Sequence, residues 1–180
     1  MNPRVLISAE DIDAKLAEMG KAITADYDGK NLLLVGILKG AFIVMADLAR
    51  HIHTSVEFDF MAVSSYGGTT KTSGVVRILK DLDTQIEGRH VLIVEDIIDS
   101  GLTLHYLMKN LRVRNPASLE LAALLVKDGV TRPEMEIKYE GFHIPPEFVI
   151  GYGLDSQELY RNIPYIGVVD DSELEAATDN

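Results

Sequence analysis

Apolar positions along the chain follow two periods. Ile12, Leu16, Met19 and Ile23 share one helical face, and Ser8 with Asp11 resembles a capping box ahead of them. The spacing predicts an amphipathic helix to about Tyr27. Asn31 to Leu38 instead runs apolar without a break, as a strand covered on both faces does, and closes at Lys39 and Gly40. Ala41 to His53 then reads as a helix with Phe42, Met45, Ala46 and Ala49 along one face. From Val56 to Val63, β-branched and aromatic residues alternate with Glu57 and Asp59, and Gly74 to Leu79 repeats that composition, so the two are expected to pair as strands. Val91 to Val94 is a further buried run ending in acidic residues. A glycine-containing turn and a helix from about Leu102 to Arg112 follow, and Leu119 to Val126 and Phe148 to Tyr152 supply more strands.

Strands alternating with helices predict an α/β fold, a mainly parallel central sheet flanked by helices, in which ligands sit beyond the carboxyl ends of the strands. With 180 residues, 47% of them apolar, one domain is expected. The connection from Ser64 to Ser73 is rich in Ser, Thr and Gly and predicts a mobile loop at about 64–74, and the acidic tail from Asp170 to Asn180 is expected to fray. Absence of cysteine excludes a disulfide framework, a thiolate metal site and a cysteine nucleophile. No basic start with an apolar run opens the chain and no stretch approaches a membrane span, which predicts a cytoplasmic, membrane-free protein. A net charge of -11 opposes contact with nucleic acid over most of the surface, so an anionic substrate must be met locally.

Residues Val91 to Thr103, VLIVEDIIDSGLT, are the most specific segment. The reading sets Glu95 and Asp96 at a strand end and Asp99 to Thr103 in the turn that opens the next helix. Amide groups at a helix start lack intrahelical partners, so a turn with Ser100, Gly101 and Thr103 can cradle a phosphate. The bland alternative is an ordinary junction with Asp99 or Ser100 as the cap. Adjacent carboxylates repel unless a cation or donor hydroxyls compensate, and a sugar diol with Mg2+ offers both.

This segment resembles the phosphoribosyl pyrophosphate motif of type I phosphoribosyltransferases. Three more segments in matching order, Leu38-Lys39-Gly40, Ser65-Tyr66, and Phe148 to Asp155 preceded by Lys127, are similar to those of the hypoxanthine-guanine phosphoribosyltransferases, the match spanning roughly residues 32 to 169. The resemblance implies purine salvage: transfer of a phosphoribosyl group from phosphoribosyl pyrophosphate to a purine base, with Mg2+ as cofactor. It also implies a core at about 30–140 with a small hood built from both terminal segments.

Residue roles follow from the same resemblance. Glu95 and Asp96 engage the ribose hydroxyls and hydrated Mg2+, and Asp99, Ser100, Gly101, Leu102 and Thr103 hold the 5-phosphate. Asp99 is also the general base toward the imidazole-ring nitrogen of the purine. Leu38, Lys39 and Gly40 bind pyrophosphate, in the family often through a cis peptide, and Arg161 adds a second cation. Ser65 and Tyr66 belong to a closing flap that excludes water. Lys127 donates to the exocyclic oxygen of the purine, Phe148 stacks on the base, the backbone at Val149 recognises it, and Asp155 makes a second Mg2+ contact. Without the resemblance, Lys39, Lys127, Asp155 and Arg161 read as solvated charges and Phe148 as core.

Where some family members carry lysine in the phosphate turn, Leu102 stands here. The loop SSYGGTTKTSG is no P-loop, because no glycine precedes Lys71 in the required manner and no buried strand leads directly into a helix. The five histidines show no ligand spacing and receive no role. Two rivals remain: a relative preferring xanthine or guanine, and a phosphoribosyl-pyrophosphate-responsive regulator on the same fold, which calls for a basic face or an added DNA-binding segment. Exposed apolar helix surfaces predict a symmetric homo-oligomer, dimer or tetramer.

Overall fold

A computed structural model describes residues 3–65 and 76–169. The chain opens with a short strand, Arg4–Ile7 (β1), and the helix Ala9–Asp26 (α1). The Ser8 hydroxyl accepts from the Asp11 amide at 3.1 Å and donates to the Asp11 carboxylate at 2.7 Å, which realises the cap read from the sequence. Leu32–Leu38 (β2), Phe42–Arg50 (α2) and Val56–Ser65 (β3) follow, then Val76–Lys80 (β4), His90–Ile98 (β5) and Leu102–Arg112 (α3). Ser118–Lys127 (β6), Tyr139–Ile144 (β7), Val149–Ile150 (β8) and Ile166–Val168 (β9) complete the order.

Six strands form the main sheet in the order β4-β3-β2-β5-β6-β7, all neighbours parallel except the antiparallel β3–β4 pair. Alternation along the buried strands divides the core. Leu32, Leu34, Leu92 and Val94 pack with α1 and α2 on one face, while Leu33, Val35, Val91 and Ile93 pack with Leu104, Leu107 and Leu111 of α3 on the other. Each such aliphatic side chain taken out of water contributes about 1.5–3 kcal/mol. β2 and β5 lie side by side at the centre, so the segments that follow them, 39–41 and 99–103, emerge together at the carboxyl edge.

A second, antiparallel sheet in the order β1-β9-β8 joins the two ends of the described chain, with Arg4 opposite Val168 and Val149 also opposite Val168. β1, β7 and β9 have no counterpart in the sequence reading.

Two patterns turn out inverted. The helix expected over 41–53 is confined to Phe42–Arg50, and it buries Val44, Met45 and Leu48. Most of the predicted stripe faces outward: Phe42 is 46% exposed and, with Met45, Ala46, Ala49, Phe58 and Phe60, lines an apolar groove of ≈ 350 Å³. On β3 the apolar Phe58 is 51% exposed while Asp59 is 4% exposed. Asp59 accepts from the amides of Phe60 at 2.8 Å, Asp83 at 3.0 Å and Thr84 at 2.9 Å. Burial alone would raise its carboxyl, yet these hydrogen bonds and the charge of Lys80 outweigh burial and hold it below the usual value.

Candidate active site at the carboxyl edge of the sheet

β5 runs four residues past its apolar stretch, to Ile98. Glu95 and Asp96 therefore lie within a strand, not at its end as the sequence reading had them. Glu95 pairs in register with Ala123 of β6, which keeps its backbone in the ladder. Burial, and then the charge of Asp96, push the Glu95 carboxyl well above the usual carboxylate range. Burial likewise lifts Asp96 to about 6, against the hydrogen bond from the Ile97 amide and the pull of Arg161, with Asp155 adding to the rise. Two successive carboxyls on one half-buried stretch of strand call for positive charge or hydroxyl donors.

The turn beyond β5 opens a cleft of ≈ 190 Å³ lined by Glu95 and the residues from Ile97 to Leu104. Gly101 precedes α3 in the left-handed region, φ 67°, a conformation that turns the chain sharply into the helix. In contrast to Ser8 at α1, no described side chain caps α3. The capped-junction alternative is therefore not what the chain adopts. The first-turn amides of α3 are left to face the cleft, beside Ser100 and Thr103. Leu102 is 44% exposed at the rim.

Asp99 and Lys127 meet across adjacent strand ends, the ammonium 3.0 Å from Asp99 Oδ2. Arg132 donates to the Lys127 carbonyl at 2.7 Å and braces the end of β6.

A second group converges from β2 and the segment after β8. The Leu38–Lys39 peptide is cis. A Cβ at Gly40 would collide with the Asp96 carboxylate, and one at Gly153 would collide with the Gly40 carbonyl, so the Asp96 side chain, Gly40 and the Gly153 backbone approach at a separation only glycine permits. Gly153 also sits at φ +100°. Arg161 donates to the Gly153 carbonyl at 2.8 Å and pairs with Asp155 at 3.0 Å and Glu158 at 3.4 Å. Lys39 reaches the other Glu158 oxygen at 2.6 Å, and that hydrogen bond holds the Glu158 carboxyl below its usual value.

The fold thus brings Leu38, Lys39, Gly40, Glu95, Asp96, Asp155 and Arg161 to one edge, with Asp99 to Thr103 and Lys127 alongside. Phe148 stands 42% exposed at the start of the small sheet, and Val149 is buried within it. Their described hydrogen bonds are backbone ladder contacts to β9 and Val169, not contacts with the cleft. Tyr66 and the side chain of Ser65 lie outside the described residues. Glu158 was absent from the sequence reading. Its spacing from Asp155 and Arg161, three residues on either side, was visible, but its partner Lys39 is 119 residues away. His143, given no role, is held between Asp128 at 2.8 Å and Glu140 at 2.9 Å.

Paired carboxylates suit a hard cation such as Mg2+, which takes one or two carboxylates plus substrate phosphates and water instead of a complete protein cage. Among the described residues no three or more potential metal ligands cluster together.

A helix start without a side-chain cap, a carboxylate pair beside it and the cations Lys39, Lys127 and Arg161 thus share one edge of the sheet. The chain matches the phosphoribosyl transferase domain over residues 8–157, and it belongs to the phosphoribosyltransferase family. Among relatives, it is 54% identical over 172 residues to the hypoxanthine-guanine phosphoribosyltransferase of Mycobacterium tuberculosis, covering 92% of this chain and 85% of that one. It is 51% identical over 166 residues to the Bacillus subtilis protein of the same name, covering 92% of each. A hypoxanthine phosphoribosyltransferase structure from Staphylococcus aureus superimposes with a TM-score of 0.91 at 48% identity, covering 94% of this chain and 92% of that one. No described helix is long and apolar enough to cross a membrane.

Proposed function

We propose that this phosphoribosyltransferase serves purine salvage, transferring the 5-phosphoribosyl group from phosphoribosyl pyrophosphate to hypoxanthine and guanine. The bond from the anomeric carbon to the pyrophosphate oxygen breaks, and a bond to the purine imidazole nitrogen forms. The observation that carries this reading is the uncapped start of α3 next to Glu95 and Asp96, with Asp99 and Lys127 paired at its mouth.

In this reading the amides and hydroxyls of Ser100 to Thr103 bind the 5-phosphate, and Glu95 and Asp96 orient the ribose hydroxyls. Asp99 accepts the proton from the attacking nitrogen, and Lys127 donates to the exocyclic oxygen, favouring oxo-purines over adenine. Lys39 and Arg161 bind the departing pyrophosphate. Phe148 and the backbone at Val149 border the base from the small sheet, which acts as a hood over the core. Mg2+, held through Glu95, Asp96 and Asp155, supplies charge neutralisation for the polyanion. We place the enzyme in the cytoplasm as a homo-oligomer, the apolar groove around Phe42 and Phe58 supporting association.

The test is chromatography of products after incubation with Mg2+, phosphoribosyl pyrophosphate and an equimolar mixture of hypoxanthine, guanine, xanthine, adenine and uracil. Inosinate or guanylate is expected, with Asp99→Asn slowing formation by about 10²-fold or more. No nucleotide from any base would overturn the reading, and xanthylate as main product would overturn the purine preference.

A further inference from the structure

The two cations assigned to pyrophosphate already share one carboxylate. Lys39 Nζ lies 2.6 Å from Glu158 Oε2 and Arg161 lies 3.4 Å from Glu158 Oε1, so each oxygen of Glu158 answers one cation, as two oxygens of a pyrophosphoryl group would. We infer that Glu158 is a resident competitor for the pyrophosphoryl group, occupying Lys39 and Arg161 and yielding both when the polyanion binds. The inference rests on the function proposed above.

Three features distinguish Glu158 from the neighbouring Asp155. First, the Lys39–Glu158 pair is exposed, 66% and 64% by side chain, and an exposed pair is readily exchanged for another anion. The Arg161–Asp155 pair is more enclosed, at 19% and 32%, and Arg161 is further fixed by its bond to the Gly153 carbonyl. Arg161 can therefore release Glu158 without losing its place. Second, the Glu158 backbone is anchored independently, its amide donating to Asp155 Oδ2 at 2.9 Å, so the side chain can leave while the turn stays. Third, Lys39 makes no other described hydrogen bond through its ammonium than the one to Glu158. A phosphate oxygen at the same donor directions must replace the carboxylate.

A competitor weakens substrate and product alike when both present the same group. Glu158 therefore lowers affinity for phosphoribosyl pyrophosphate and for pyrophosphate by a similar factor, and it speeds pyrophosphate release by retaking the cations.

The deciding measurement is calorimetric titration of inorganic pyrophosphate, with Mg2+ present, into the unaltered protein and Glu158→Gln. Binding should tighten by about three- to tenfold, since exposed ion pairs are each worth less than about tenfold. KM for phosphoribosyl pyrophosphate should fall in parallel, with KM for hypoxanthine unmoved. Glu158→Ala must shift the same way. Tightening in Glu158→Gln alone would mark the amide as a new contact and overturn the competitor role, as would unchanged or weaker binding in both variants. If the unaltered protein neither binds pyrophosphate nor forms nucleotide, the proposed function falls and this inference with it. If it does both and the variants bind no tighter, the inference alone fails.

Discussion

Replacing Gly153 with alanine tests the close approach of its backbone to Gly40, beside the residues proposed to bind pyrophosphate. The residue sits at φ +100°, where a side chain is strained, and the new Cβ would strike the Gly40 carbonyl, a backbone atom with no rotamer to yield. Strain at such a conformation costs about 1–3 kcal/mol, and forcing an extra carbon into a packed contact costs about 1–3 kcal/mol more. The sum, about 2–6 kcal/mol, is a large part of the roughly 5–15 kcal/mol that holds a domain folded. Gly29→Ala is the internal control: φ there is +69° and nothing lies within 4 Å of the added carbon, so only the left-handed penalty of about 1–2 kcal/mol applies. Urea unfolding of both variants, extrapolated linearly to water, gives the difference directly. A Gly153→Ala protein no less stable than Gly29→Ala would refute the close approach. Relief of the collision must displace the turn at Gly40, so pyrophosphate binding should weaken in Gly153→Ala and remain intact in the control.

Lys127→Met removes a donor that is hydrogen-bonded to a charged partner, and kcat/KM for hypoxanthine should fall by roughly 10- to 10²-fold, the equivalent of about 1.5–3 kcal/mol, in steady-state assays with saturating phosphoribosyl pyrophosphate. Discrimination against adenine should shrink at the same time. His143 is raised above the ordinary histidine value of 6.5 by its hydrogen bond to Asp128 first and that to Glu140 second. A raised folded value means that the pairing stabilises the protein fully below the unfolded value and is lost as pH rises through the folded one. Nuclear magnetic resonance titration should show that elevation, and His143→Gln should lose melting temperature at about pH 6 but not at about pH 9.

Elements whose apolar period is strong and local were readable in advance. The cap at Ser8, the buried runs of β2, β5 and β6, and α3 to its last residue all follow from neighbours within a few positions. α2 carries no such local signal. Apolar residues surround that helix almost completely from Phe42 to Ala49, so periodicity cannot select a face, and the sheet selects Val44, Met45 and Leu48. The burial of Asp59 had no local signal, because its partners, Asp83 and Thr84, are 24 and 25 residues away. β7, YEGFHI, is an edge strand whose Glu, Gly and His mask any strand pattern, and β1 and β9 have 4 and 3 residues, too few to show a period. The candidate site divides in the same way. The run from Glu95 to Thr103 carries its acids, hydroxyls and glycine within one segment. Glu158 did not, because its meaning lies in Lys39, a residue on another strand's end.

The pairing of β1 with β9 has a consequence for synthesis. β1 is made before every other described element, and its hydrogen-bonding partner, Ile166–Val168, is the last of them. Until then β1 offers open amides and carbonyls with no sheet to join, while the parallel strands between them can already assemble. The second cation of the site, Arg161, also arrives in this final stretch. A nascent chain that has completed the turn from Asp99 to Thr103 therefore still lacks Arg161, and the two cations proposed to hold pyrophosphate come together only once the segment before β9 has been made.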